Sequence, residues 1–212
     1  MNRKWWLVCC ALLIGCSAPQ EAKKEAPKKA QVKNETAPPV FHVTLDTSKG
    51  AVVVEVHRDW APNGADHFYN LIQTGYFDGD RIYRVTQRYA QFGVNGDPSI
   101  TGLWSMARIP DDPPSRHSNV KGTLTYAQEG AGTRTTQLFF NLQDNKALDK
   151  EKFLPIGMVT SGIEVLDHFY SGYGDWPPRG NGPDPVKVQA EGNAYLTEHF
   201  PRLDYIRKAT IQ

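Results

Sequence analysis

The chain has 212 residues, and setting aside a secretory signal at 1–15 and a linker at 16–39 leaves 173 for folding, one domain able to bury a core without disulfides or metal. From Val40 onward 17 basic residues face 20 acidic ones, which excludes the basic excess of a nucleic-acid-binding domain. The 18 Gly, 15 Pro and 11% aromatics favour a loop-rich β fold over a helical bundle.

Arg3 and Lys4 form a positive n-region, and Trp5 to Gly15 is an apolar run. A spanning helix needs about 20 apolar residues, so this run reads as a signal and not as a permanent anchor. Leu13-Ile14-Gly15-Cys16 resembles the bacterial lipobox, which implies cleavage before Cys16 and attachment of lipid to its sulfur. Cys9 and Cys10 leave with the signal, so the mature chain keeps Cys16 alone, with no disulfide partner, zinc set or thiol nucleophile. Ser17 after the Cys points to the outer membrane under the Gram-negative sorting rule. Residues 17–39 hold no aromatic and one branched apolar side chain, Val32. Such a stretch cannot offset its ordering entropy; as a coil it holds the domain roughly 30 Å from the membrane.

Phe41 to Thr47 alternates, Ser48-Lys49-Gly50 turns, and Ala51 to His57 reads as a second strand, an opening β-hairpin. Ala61-Pro62 starts a helix with Ala65, Phe68 and Ile72 on one face, and Gly75 ends it. Strand-like runs follow at 81–85, 89–94, 120–127, 137–142 and 154–160. Gly162 to Tyr170 predicts a second helix with Ile163, Leu166, Phe169 and Tyr170 on its apolar side. Residues 171–185 read as a loop, 186–190 as strand, Tyr195 as part of a helical turn, and 204–211 as a last strand. Many short strands with two helices predict a mostly β, closed antiparallel barrel capped at both ends.

Over about 41–172 the chain resembles a cyclophilin-type peptidyl-prolyl cis-trans isomerase. The resemblance rests on Ala61-Pro62, His67-Phe68 with Leu71, Gly75-Tyr76-Phe77-Asp78-Gly79, Ile82-Tyr83-Arg84-Val85 and Gln91-Phe92-Gly93. It continues through Gly122-Thr123-Leu124-Thr125-Tyr126-Ala127, Gly130 to Phe140, Leu148-Asp149 and Ile156-Gly157-Met158-Val159. Each segment alone is weak; their order and spacing are specific. The implied fold is an eight-stranded cyclophilin-like barrel over 40–212, with a C-terminal extension from about 171.

The implied activity makes and breaks no covalent bond. It lowers a rotation barrier of roughly 18–20 kcal/mol that arises from amide resonance. In the twisted transition state the proline nitrogen regains its lone pair, and a fixed donor aimed there stabilises that state above either planar one. The family's catalytic Arg maps onto Arg84, with a typical contribution of about 3–4 kcal/mol from such a donor. Period-two alternation puts Gln137, Phe139 and Asn141 on one strand face and Leu138 and Phe140 on the other. By the resemblance, Arg84, Gln91 and Phe139 are the catalytic set. Tyr89, Ala127, Gln128, Gln137, Leu148 and Phe153 bind substrate, with Phe153 where many members have His. No cofactor is implied.

The sequence departs from the family pattern at three places. Arg84 to Gln91 is one residue short, so Tyr89 either supplies the aromatic of the pocket floor or takes the next position, and a one-residue slip reverses a strand's faces. Ala147 stands where some members have Trp, and Gln87-Arg88 replaces the usual Pro-Gly turn. Other chemistries find little. The six His form no ligand pair, Gly130-Ala131-Gly132-Thr133 lacks the Gly-Lys-Ser/Thr ending of a phosphate loop, and Asp111-Asp112 before two prolines reads as loop.

The reading is an isomerase of X-Pro bonds in exported proteins, a monomer lipid-anchored in the bacterial cell envelope at the outer membrane facing the periplasm. Its partners are proline-containing polypeptides and the membrane, with no nucleic acid and no metal. Two rivals stand beside it. One is a non-catalytic proline-peptide-binding module on a cyclophilin scaffold; the other is an envelope assembly factor using residues 171–200 as its partner surface.

Overall fold

The computed structural model describes Met1 and residues 32–212; the rest of the expected signal, Cys16 and the linker up to residue 31 lie outside the described residues. The elements, in chain order, are β1 (Val40–Thr47), β2 (Gly50–His57), α1 (Pro62–Gln73), β3 (Arg84–Val85) and β4 (Tyr89–Phe92). α2 (Pro98–Ser105), β5 (Thr123–Tyr126), β6 (Leu138–Asn141), α3 (Ala147–Lys150) and β7 (Pro155–Ser161) follow. α4 (Ile163–Leu166), α5 (Pro185–His199) and β8 (Ile206–Ile211) complete the chain.

The opening hairpin forms as its alternation predicts. Val40 pairs with His57 and Thr47 with Gly50, which buries Phe41, Val43, Leu45, Val52, Val54 and Val56 together on one face. All eight strands join one antiparallel sheet in the order β3-β4-β6-β5-β7-β2-β1-β8. Its inner face packs with Phe68, Leu71 and Ile72 of α1 and with Leu124, Leu138, Phe140 and Ile156 into the main core.

The barrel expected to be closed is an open, curled half-barrel. β3 has only two residues, and the segment that would extend it toward β8 turns at 74–79 instead of running straight. The two edges are joined by the isolated bridge between Arg81 and Tyr205 and by single bonds, Ile82 N–H to the Asp204 carbonyl and Ile206 N–H to that of Asp80, each 2.9 Å.

The helices also differ from expectation. The helix predicted over 162–170 is helical only at α4, and the strand predicted at 186–190 is the start of α5. Val186 and Val188 alternate like a strand, but Pro185 opens the helix and Asp184 caps it, accepting from the N–H groups of Val186 and Lys187. The unanticipated α2 starts the same way, with Asp97 accepting from Ser99 N–H ahead of Pro98. At the start of the domain, the backbone of Glu35 and Ala37 donates to Asn70 and Asp66 of α1, so residues assigned to the linker lie along that helix. A second, smaller core gathers Tyr83, Val94, Val188, Tyr195, Leu196 and Leu203, with Tyr173, Trp176 and Phe200 packed against it. It fastens the 171–203 segment to the sheet edge that carries β3 and β4.

Candidate active site

Strand alternation builds the site. Val85, Ala90, Phe92, Leu138 and Phe140 turn into the core; their neighbours Arg84, Tyr89, Gln91, Gln137 and Phe139 turn the other way and line one cleft of about 430 Å³. Ala127 and Gln128 follow β5 along its edge, and Leu148 and Phe153 close it from α3 and the turn after it. All nine residues singled out from the sequence therefore meet at one cleft. Of the two placements left open for Tyr89, the one in the pocket wall is observed. Tyr89 shares the cleft side with Gln91, its ring centroid 5.6 Å from that of Phe139, and Phe153 lies 6.0 Å from Phe139 on the other side. Three aromatic rings and Leu148 thus make an apolar socket.

Arg84 borders that socket with its side chain 10% exposed. It sits directly opposite Gln91 in the β3–β4 register. Its Nη1 donates to Gln91 Oε1 at 2.9 Å and its Nη2 to the Tyr89 hydroxyl at 2.7 Å. Its Nε donates to Asp175 Oδ1 at 2.7 Å, and the Trp176 ring lies 3.7 Å from Cζ over the guanidinium. Behind Gln91 a buried relay continues, with Gln91 Nε2 donating to the Tyr83 hydroxyl at 2.9 Å and that hydroxyl donating to Gln137 Oε1 at 2.6 Å. Burial raises the Tyr83 phenol well above its usual range, so it stays a neutral donor and fixes which way both amides face.

The cleft's far wall is held by a second buried network. Asn119 donates to Asp149 Oδ1 at 2.8 Å and to the Phe153 carbonyl at 2.7 Å, and accepts from Thr125 and Asn141. These bonds fix the 148–153 segment that carries Leu148 and Phe153. Burial alone would raise the Asp149 carboxyl; hydrogen bonds from Ser118 and Asn119 outweigh it and hold it below the usual range.

Five further residues line the cleft without having been singled out: Glu129, Thr133, Thr135, Trp176 and Arg179. The first three sit inside the stretch that carries the resemblance. Trp176 and Arg179 come from the irregular 171–185 segment; the available signal was an Asp-Trp pair amid Gly and Pro, since a loop tryptophan needs something to cover it. No group of three His, Cys, Asp or Glu side chains among the described residues is arranged to hold a metal ion.

The sequence model of the family described as cyclophilin type peptidyl-prolyl cis-trans isomerase/CLD matches residues 42–187. Peptidyl-prolyl cis-trans isomerase-like 1 of Rhizopus delemar is 32% identical over 130 residues, 58% of this chain and 76% of that protein. Peptidyl-prolyl cis-trans isomerase ppi1 of Schizosaccharomyces pombe is 32% identical over 129 residues, 58% of this chain and 81% of the relative. The bacterial relative cyp18 of Streptomyces antibioticus is 27% identical over 133 residues, 59% of this chain and 80% of its own length. Among solved structures, a cyclophilin type peptidyl-prolyl cis-trans isomerase of Cryptosporidium parvum superposes with a TM-score of 0.60 at 18% identity, covering 82% of this chain and 98% of that one. That likeness is one of fold.

Proposed function

The chain belongs to the cyclophilin-type peptidyl-prolyl cis-trans isomerase family and is an enzyme of that class; from that footing we propose that Arg84 drives the reaction and that the substrates are exported proteins. The observation that carries the proposal is the Arg84 guanidinium, held by hydrogen bonds at all three nitrogens beside a socket of aromatic rings. The proline ring occupies the socket between Tyr89, Phe139, Leu148 and Phe153, which removes water from the imide. As the C–N bond twists, the nitrogen loses conjugation with the carbonyl and its lone pair accepts from Arg84. The planar ground states have no lone pair to offer, so the bond favours the transition state alone. A guanidinium suits this task because it is permanently charged and cannot give up its proton. Gln91 and Gln137 orient the flanking peptide, and Ala127 and Gln128 run beside its backbone.

The assignment to exported proteins rests on the first sixteen residues, where the apolar run ends at Cys16. A lipid on Cys16 would tether a monomeric domain to the outer membrane, facing the periplasm. There, uncatalysed isomerisation of X-Pro bonds takes tens to hundreds of seconds and limits folding. No helix among the described residues is long and apolar enough to cross a membrane.

A non-catalytic proline-peptide binder is the second reading, favoured by one observation: Asp175 and Trp176 already occupy one edge and one face of Arg84. Exchange spectroscopy on a short X-Pro peptide separates the two. The wild-type chain accelerates cis-to-trans exchange, and Arg84→Ala, checked for an unchanged fold, loses about 100-fold or more of that rate, the equivalent of one preorganised donor. Binding without acceleration by the wild type would instead establish the second reading.

A further inference from the structure

We propose that the 171–185 loop is part of the active site: Asp175 is a positioning residue that fixes the Arg84 guanidinium, and Trp176 is a wall of the substrate cleft. The inference rests on the role of Arg84 proposed above and extends it to two residues outside the sequence motifs that carry the resemblance.

Arg84 takes two of its three hydrogen bonds from β4, the strand paired with its own. Those two partners hold the two Nη groups from the neighbouring strand and leave Nε to a third. The third partner comes from 91 residues away. Asp175 accepts from Nε at 2.7 Å, and Trp176 lies over the guanidinium plane. Together they fix the fork from its edge and from one face. A guanidinium carries five N–H bonds. Three are used here, so one on each Nη remains for a substrate. The clamp thus restricts the group without consuming the donors that the chemistry needs.

The clamp is itself built. Asp175 Oδ1 also accepts from Trp176 N–H at 2.8 Å, and Oδ2 meets Arg179 Nε at 3.2 Å. The N–H groups of Arg179 and Gly180 close onto the Trp176 carbonyl, and that of Gly182 onto the Asp175 carbonyl at 2.9 Å. Gly180 is required by this turn, because a Cβ there would lie 2.2 Å from the Asp175 carbonyl oxygen. Tyr173 and Trp176 then pack on the second core, which contains Tyr83 of the relay behind Gln91. Burial by itself would raise the Asp175 carboxyl, but the hydrogen bond and charge of Arg84 outweigh it and hold it below the usual carboxylate range. Asp175 is therefore ionised at neutral pH.

A donor fixed before the substrate arrives needs no reorganisation as the bond twists. Loss of Asp175 should consequently act on turnover and spare binding, whereas loss of the Trp176 wall should act on binding. The test is exchange kinetics on the full chain for Asp175→Asn, Asp175→Glu, Trp176→Ala and Arg84→Ala. The resonance of the Arg84 Nε–H group is recorded alongside, and backbone amide spectra check the fold.

Asp175→Asn is expected to lower kcat roughly tenfold or more, the scale of one charge-assisted hydrogen bond. KM should stay within about twofold, as expected for an interaction absent from ground-state binding. The Arg84 Nε–H signal should move, Asp175→Glu should restore part of both, and Trp176→Ala should raise KM several-fold. Wild-type kcat in Asp175→Asn overturns the inference. So does a rise in kcat/KM for Trp176→Ala, which would make the loop a cover over the site. If Arg84→Ala keeps full activity, the parent reading and this inference fall together. If it loses activity while Asp175→Asn does not, this inference alone falls.

Discussion

His67 illustrates how a conspicuous residue can matter for stability and not for the reaction. It lies on α1 with its ring edge-on to Trp104 at 5.4 Å and to Tyr126 at 6.2 Å, and its buried Nε2 has no hydrogen-bond partner among the described residues. Burial, reinforced by the charge of Arg134, lowers its pKa from 6.5 to about 4. The unfolded imidazole takes up a proton as pH falls through 6.5, while the folded one resists until about 4. Stability is therefore full above the upper value and is lost as pH falls through this window. At pH 5 the loss from this group is about 2 kcal/mol relative to pH 7. Denaturant unfolding at the two pH values, for wild type and for His67→Phe, isolates the effect as the difference between the two drops. An equal drop in both proteins would assign the pH dependence elsewhere. His67 was legible only as part of a family segment. The residues of the cleft were legible for the same reason, because β-alternation and segment order fixed which side chains face together. Asp175 escaped because nothing periodic places a side chain at the tip of a loop 91 residues from its partner.

At the scale of elements, α1 depends on a carboxylate from another part of the chain. Ala61 at its N-terminus supplies no side-chain cap. Asp112 does so instead, accepting from Asn63 N–H at 2.6 Å and from Gly64 N–H at 3.1 Å, and it also pairs with Arg134 at 2.9 Å with both side chains at most 5% exposed. Asp112→Ala leaves a buried guanidinium without its counter-charge and the first turn of α1 without acceptors, so it is expected to destabilise the fold by about 3–5 kcal/mol. The exposed Arg207–Asp46 pair serves as the control; Asp46→Ala should change stability by less than about 1 kcal/mol. Thermal or denaturant melts of both variants check the contrast, and similar shifts would show that burial is not what matters. The sequence around Asp111-Asp112 reads only as loop, because the partners lie 22 and 48 to 49 residues away. The hairpin and α1 were readable because each is decided locally, by period-two or period-3.6 burial. α5 was misread for the converse reason. Val186 and Val188 alternate, yet Val186 is exposed and Val188 buried, and the short-range signals that decide the element are the Asp184 cap and Pro185.

For the molecule as a whole, the segment 171–203 leaves the fold after Tyr170 and returns to it before β8. Asp204 ties its two ends together, accepting from Tyr170 N–H and from the Ser48 hydroxyl in the β1–β2 turn, each at 2.6 Å. The chain then returns to the sheet as β8, which pairs antiparallel with β1 from Val43–Ile211 to Thr47–Ile206 and buries Ile206 and Ala209. Because both ends are anchored in the fold, the Asp175–Trp176 pair is delivered to Arg84 by the architecture. The half-barrel stays open, and the chain returning from this segment links its two edges through the Arg81–Tyr205 bridge and the bonds beside it, an arrangement that strand patterns alone do not disclose. Ending the chain after Leu203 would remove β8 and leave the long β1 strand as an unpaired edge above an opened core, which favours association between chains. Such a truncation is expected to lose the cooperative thermal transition and the slow amide exchange of β1 residues 43–47. Retention of both would mean that β8 adds little to the fold. The 171–203 segment would then be held by the second core and by bonds such as those of Asn193 to the Gly79 and Gly96 carbonyls, and its grip on Arg84 would have to survive without an anchored end.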